Sequence, residues 1–255
     1  MSTRLFLTIC AGLTLSASAP AWSAAYTPDL AEFSGADSLA FPPDGSLDLA
    51  GGGTIEFWVQ PDWQDDPGFD PVIVSNIGKL GPSYMVVMLG SRKGIGVMAG
   101  DRFETLPFDF SDNRLHYVAI SDFGDDNLIV LIDNKLIGSL PLGFRSLPSN
   151  GFFIASADGT ENQFKGAIAS LRIWDLPVDP DDLAIYALQP LVDSDGGPHP
   201  DISSLVGVSD FTKRTFSLIE PMPIGEDESD EVPVAAAPAV ELPSPPDAGS
   251  AAQKP

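Results

Sequence analysis

Hydrophobic and polar positions alternate with a period of two along much of this chain. In "TIEFWVQ" (Thr54–Gln60), Ile55, Phe57 and Val59 fall on one face and Glu56, Trp58 and Gln60 on the other, as in a strand with one face turned to a core. "YMVVML" (Tyr84–Leu89) is a continuous apolar run of the fully buried kind, and "GIGVMAG" follows it. "LHYVAIS" (Leu115–Ser121) and "NLIVLI" (Asn127–Ile132) flank the turn "DFGDD"; "DNK" at Asp133–Lys135 then leads into "LIGSL", a hairpin signal. "GFFIAS" (Gly151–Ser156) and "GAIASLRIW" (Gly166–Trp174) flank "ADGTENQFK". Turn signals recur at intervals of roughly a dozen residues or less, the spacing of an all-β antiparallel sandwich. The one good helix candidate is "DPDDLAIYAL", with Asp179 as its cap and Pro180 at its first position.

The pattern predicts a sandwich over residues 30–190 and weakens after Leu188. Residues 191–223 form an extension whose "SLVGVSDFTKRTFSLIEP" has room for one or two strands. From 224 onward the chain is acidic and rich in Pro and Ala, with no large aromatic residue; it cannot bury enough apolar area to offset ordering, so a disordered tail is predicted over 224–255. At the other end, Arg4 precedes an apolar run from Leu5 to about Ala19 and the small residues of "AWSAAY". This is the layout of a secretory signal peptide over residues 1–25, too short to span a membrane. Cleavage after Ala25 or after Ser23 fits the small-residue rule, and the expected location is secreted or periplasmic. Cys10, the single cysteine, goes with the leader, so the exported protein has no disulfide, thiol nucleophile or Cys–zinc site. No later segment has the length of a transmembrane helix.

Charge narrows the partners. The formal net charge is −23, and removing the leader takes Arg4 and no acidic residue, giving −24. Binding nucleic acid or an anionic membrane requires clustered Lys and Arg, so both are excluded as expected partners. Gathered carboxylates instead suit a hard cation such as calcium.

Four segments, taken in order, resemble the laminin G-like jelly-roll domains of the concanavalin A-like lectin and glucanase group. "EFSGADSLAFPPDGSLDLAGGGTIEFWVQPDW" is similar to the family's opening strands. "LHYVAIS" is similar to "W-H-H-V-A-V", with Leu115 and Tyr117 departing. "LIVLIDNKLIGS" is similar to "L-x-L-Y-V-D-G-x-L-V-G", with Asn134 in place of Gly. "FKGAIASLRIWDLPVDPDDL" (Phe164–Leu183) is similar to the closing strand and short helix, with Ala169–Ser170 where the family has an acidic pair. The resemblance covers about Leu30 to Leu188 and implies an all-β, two-sheet antiparallel jelly-roll sandwich. It also implies that Trp58 and Trp174 pack in the core and that His116 is structural. Of the residues that bind calcium in the pentraxin branch, only Asn76 and Asp158 have counterparts here.

The retaining glucanases of this fold use an "E-x-D-x-x-E" run, two carboxylates on one strand about 5–5.5 Å apart. No strand here carries that run. His199 sits in "GGPHP", read as a flexible loop without a role, and Gly51–Gly53 opens a strand, not a phosphate-binding helix. The expected function is therefore non-catalytic: an exported carbohydrate- or glycoconjugate-binding module. The alternative is a protein–protein interaction or cell-envelope structural domain, and a hydrolase comes third. The candidate ligand residues lie on two loops, "DWQDDPGFD" and "SADGTENQF", expected to converge on one rim of the sandwich. Trp63 would stack on sugar C–H groups, and Asp62, Gln64, Asp158, Glu161 and Asn162 would supply hydrogen bonds. Asp62, Asp158 and Glu161 are also the expected ligands of a calcium ion.

Overall fold

The alternating stretch around Phe57 becomes the middle of a sheet. The structure is a computed structural model that describes residues 29–187, 191, 199 and 201–219. The expected signal peptide (1–25) and tail (224–255) lie outside the described residues. In chain order the strands are β1 (Leu30–Ser34), β2 (Leu39–Phe41), β3 (Gly53–Pro61), β4 (Val72–Gly78), β5 (Gly81–Met88), β6 (Gly94–Ala99) and β7 (Arg102–Pro107). They continue with β8 (His116–Asp122), β9 (Leu128–Ile132), β10 (Lys135–Leu140), β11 (Gly151–Ile154), β12 (Lys165–Trp174), β13 (Leu205–Asp210) and β14 (Thr215–Leu218), with helix α1 (Pro180–Tyr186) between β12 and β13.

The strands make two antiparallel sheets packed as a jelly-roll sandwich. The larger runs β10-β9-β8-β3-β12-β13-β14, with β1 also on β12; the smaller runs β2-β11-β4-β5-β6-β7. One edge of β12 pairs with β3, while its other edge pairs first with β1 and then with β13. The changeover lies at a bulge between Ala169 and Arg172, where Ser170 has φ of +46°. The chain's departure from the family's acidic pair thus falls where the strand kinks. The β9–β10 turn places Asp133 and Asn134 at φ of +51° and +60°. That is the mirror-image turn that two-residue hairpins require, and Asn tolerates it in place of Gly. Helix α1 starts as the sequence predicts: the Asp179 side chain accepts from the Asp181 N–H at 2.8 Å, with Pro180 first in the helix.

Ile55, Phe57 and Val59 point between the sheets, against a core that includes Tyr84, Val86, Val118, Phe152, Phe164 and Ile168. The β13–β14 hairpin extends this core through Val206, Phe211 in its turn and Phe216. The other face of the larger sheet is covered as well. Val178, Leu183, Ala187 and Leu205 pack there against Tyr117, Leu131 and Trp174, with Trp58 at the margin. Trp174 takes the core position expected of it, whereas Trp58 is half-buried and packs its ring on Tyr117.

This second core encloses a charge. Glu56 is 3% exposed. Its Oε1 accepts from Arg172 Nη1 at 3.3 Å and Trp174 Nε1 at 3.1 Å, and its Oε2 accepts from the Tyr117 hydroxyl. Burial pushes the Tyr117 phenol well above its ordinary range, and the Glu56 charge adds to the shift. His199, read from sequence as a loop residue without a role, is buried here. Its ring lies 4.8 Å from that of Trp174, and its Nδ1 accepts from the Asp201 N–H at 3.1 Å. A flanking "GGP" signals a turn but says nothing about where the imidazole goes. Among the described residues no helix is long and apolar enough to cross a membrane.

Replacing Glu56 with Ala removes the acceptor shared by three buried donors and should destabilise the domain by about 3–5 kcal/mol in urea denaturation. A second expectation concerns pH. Burial lowers the His199 pKa below its ordinary 6.5, so the folded state favours the neutral ring. That stabilisation is complete above pH 6.5 and is lost as pH falls towards the folded-state value, because the unfolded chain takes up a proton that the folded one refuses. Burial raises the Asp175 carboxyl and acts in the opposite direction. The comparison is therefore made against His199→Phe, whose melting temperature should fall less between pH 7 and pH 5.5 than that of the wild type.

Candidate functional site

The loops after β3, β5, β7 and β11 meet at one rim, and Gly90 holds two residues of the first of them. Trp63 Nε1 donates to the Gly90 carbonyl at 2.8 Å, and the Gly90 N–H donates to Asp70 Oδ1 at 2.9 Å. Asn162 reaches the same loop, its Nδ2 donating to the Asp70 carbonyl at 3.3 Å, while the Val72 N–H donates to the Asn162 carbonyl at 2.8 Å. The two loops singled out in the sequence therefore do touch.

They do not build the expected site. Trp63 is only 8% exposed and meets Phe164 edge to face at 5.6 Å. It closes the open end of the apolar core and presents no free ring face, because an indole between two sheets whose N–H is already satisfied is more stable there than in water. Asp62 lies on the side of the larger sheet, its Oδ2 3.2 Å from Lys165 Nζ. Asp158 belongs to a turn that folds over the outer face of the smaller sheet, where Ala157 packs on Val72, Met85 and Val87. The Asp158 Oδ1 accepts from Thr160 N, Thr160 Oγ1 and Glu161 N, each at 2.9 Å, and these bonds hold its carboxyl below the ordinary range. Glu161 and Asn162 are exposed. Asp62, Asp158 and Glu161 thus do not fit a shared calcium ion, and among the described residues no three His, Cys, Asp or Glu side chains gather as a metal site. Asn76 is separate again: its Nδ2 donates to the Leu47 carbonyl in the interior.

What the rim does build is a cavity of about 340 Å³ beside Asp62 and Gln64. Its other polar walls are Glu32 from β1, Gln60 from the end of β3 and Asn113 from the β7–β8 loop. Gln60 shares the outward face of the larger sheet with Glu56 and Trp58, and its pairing row runs through Ala167 to Glu32. Ala167 keeps the floor low. Gly166, at φ of +140°, lets β12 pass so close that a Cβ there would stand 2.1 Å from the Gln60 carbonyl oxygen. Gln60 Nε2 donates to the Asn113 carbonyl at 2.7 Å, and Arg92 Nη1 reaches Asn113 Oδ1 at 3.4 Å. Three amides and two carboxylates offer acceptors and a few donors at fixed positions, an arrangement that complements hydroxyl groups. Sequence reasoning missed Glu32, Gln60 and Asn113. The polar end of "TIEFWVQ" pointed to Gln60 alone.

His116 fits the structural role expected of it. Its two ring nitrogens lie 2.8 Å from Asp112 Oδ1 and Asp133 Oδ2, and the ring meets those of Phe108 and Phe110 edge to face. The Trp63 geometry sets the outcome of its mutation. Trp63→Ala should unfold the domain more easily, by about 3–5 kcal/mol, and chemical denaturation will show whether the ring is the plug described here.

Comparison with known proteins places these features. A candidate carbohydrate-binding protein from Bacteroides ovatus ATCC 8483 superposes with a TM-score of 0.53 at 17% identity, covering 76% of this chain and 60% of that one. The receptor-binding domain of the botulinum neurotoxin C/D mosaic serotype superposes with a TM-score of 0.50 at 15% identity, covering 69% of this chain and 47% of that one. The chain therefore spans less than two thirds of either structure, and at these identities the likeness is one of fold. A search of curated proteins finds no match. The family described as the concanavalin A-like lectin/glucanases superfamily matches residues 33–184. That match takes in strands β2 to β12 and the first turn of α1, and the chain belongs to the concanavalin A-like lectin/glucanase superfamily.

Proposed function

We propose that the protein is an exported, non-catalytic carbohydrate- or glycoconjugate-binding module, secreted or periplasmic. The observation that carries this reading is the rim cavity, where Gln60, Gln64 and Asn113 amides stand beside the Glu32 and Asp62 carboxylates. Sugar hydroxyls both donate and accept, and amide–carboxylate walls serve both roles. No Lys or Arg side chain lines the cavity among the described residues, which favours a neutral saccharide over an anionic one. The name of the Bacteroides ovatus neighbour also points to carbohydrate.

The non-catalytic part rests on where the buried acids and bases sit. Glu56 lies under the second core with both oxygens engaged. His116 and His199 are 1% and 4% exposed. None of the three faces the cavity; the carboxylates that do are Glu32 and Asp62, and Asp62 is paired with Lys165 at 3.2 Å.

A second reading, a protein-interaction or cell-envelope structural domain, is favoured by the outer face of the smaller sheet. Phe153, Met85, Met98 and Phe103 lie in one pairing row of five strands there, with Ser75 between Phe153 and Met85, and Phe103 is 40% exposed.

A glycan array run with calcium and with chelator separates the two readings. The carbohydrate reading expects at least one neutral glycan to bind. It further expects Gln64→Ala and Asp62→Asn each to weaken that binding about tenfold, the ~1.4 kcal/mol scale of a lost hydrogen bond, at an unchanged melting temperature. An array with no ligand in either condition supports the interaction domain instead.

A further inference from the structure

At the opposite rim, a second cavity of about 460 Å³ opens between a single 3-10 turn (Gly45–Leu47), the segment 146–149 and strands β4 and β5. Asp44, Asp48, Asn76, Ser83, Ser146 and Ser149 line it.

Its walls are fixed in place. Ser83 Oγ donates to the Leu147 carbonyl at 3.1 Å and accepts from the Leu147 N–H at 3.2 Å. Gly78 lets the segment approach so closely that a Cβ there would stand 1.7 Å from the Pro148 carbonyl oxygen. Ser146 Oγ donates to Asp48 Oδ2, which joins the segment to the turn.

The chemistry of the walls is mostly that of acceptors. Asp48 Oδ1 takes one N–H, from Ala50 at 3.2 Å, and Asp44 Oδ1 takes Ser46 N and Oγ at 2.9 and 2.7 Å. Carboxylate oxygens carry further lone pairs beyond these bonds, and so does the Ser146 hydroxyl. Asn76, 3% exposed, donates one amide hydrogen to the Leu47 carbonyl and keeps another. Behind it stands Tyr84, fully buried, whose hydroxyl makes no hydrogen bond among the described residues although the Asn76 amide lies beside it. A buried hydroxyl without a partner is uncommon and calls for a water or ligand to complete it. No Lys or Arg side chain lines the cavity among the described residues, so two carboxylates face a ligand without a counter-charge, which disfavours an anion.

We propose that this cavity is a second ligand site, shaped for a neutral, hydroxyl-bearing sugar residue or polyol whose hydroxyls bond Asp48, Ser146 and the Asn76 amide. The inference stands on this cavity's own walls and does not depend on the first rim. With both rims filled, the domain is bivalent and joins two saccharide chains or two points of one chain.

The test is an amide chemical-shift titration of the full ¹⁵N-labelled chain with glucose, galactose, mannose and glycerol, read at both rims in the same spectra. Saturable shifts at the Asp48, Asn76 and Ser146 amides with any of these ligands are expected, with affinity falling about tenfold in Ser146→Ala and in Asp48→Asn. Asp48→Asn keeps the side-chain shape, so it carries the test if Ser146→Ala does not fold. Shifts confined to Gln60, Gln64 and Asn113 would overturn this second site and leave the first standing. Shifts confined to the second cavity would support it and count against the first. No shift at either rim, or wild-type affinity in Asp48→Asn, would overturn it.

Discussion

One carboxylate holds three neighbouring strands of the larger sheet in register on its outward face. Glu56 on β3 accepts hydrogen bonds from Tyr117 on β8 and from Arg172 and Trp174 on β12. A buried charge is tolerated only when its oxygens are satisfied, so these three strands cannot slide past one another without stranding it. The same requirement explains the cover. Val178, Leu183, Ala187 and Leu205, with His199 against Trp174, keep water from this network and turn a one-sided sheet into one buried on both faces.

The rim cavity inherits that rigidity. Gln60 lies on the same strand and the same face as Glu56, one alternation beyond Trp58, and Ala167 and Gly166 continue the strand that carries Arg172. The polar walls of the cavity are thus end positions of strands fixed in register further along. Trp63 seals the apolar interior directly behind them. A binding surface built on strand ends keeps its hydrogen-bonding groups in place before the ligand arrives, which lowers the ordering cost of binding.

Much of this frame was legible along the chain. Period-two alternation marks β3 and β8, the "DNK" turn marks the β9–β10 hairpin, and Asp179–Pro180 marks the start of α1, because each signal is local. Strand β7, "RFETLP", was not legible: it is an edge strand with mostly exposed side chains and has little apolar pattern to detect. The site was harder still. Trp63 beside four polar residues reads as an exposed loop aromatic until Phe164 and the Gly90 carbonyl, both distant in sequence, are brought to it. Asp62 and Asp158 follow strands that end at one rim, yet they belong to opposite outer faces of the sandwich. Which sheet a loop leaves, not the loop's composition, decides where its carboxylates point. Glu32, Gln60 and Asn113 meet only through the pairing of β1, β12 and β3 and a loop from β8, and no local signal links them.

The fold thus places a cavity walled by amides and carboxylates on rigid strand ends in a family of lectins and glucanases, away from its buried acids and bases. The most direct test of that account is a crystal structure of the domain with a neutral saccharide selected on a glycan array. The account predicts the sugar seated in the rim cavity, its hydroxyls within hydrogen-bond distance of Gln60, Gln64, Asn113 and Asp62. A sugar bound elsewhere with this cavity empty, or one stacked on the outer face of the smaller sheet at Phe103, would contradict it.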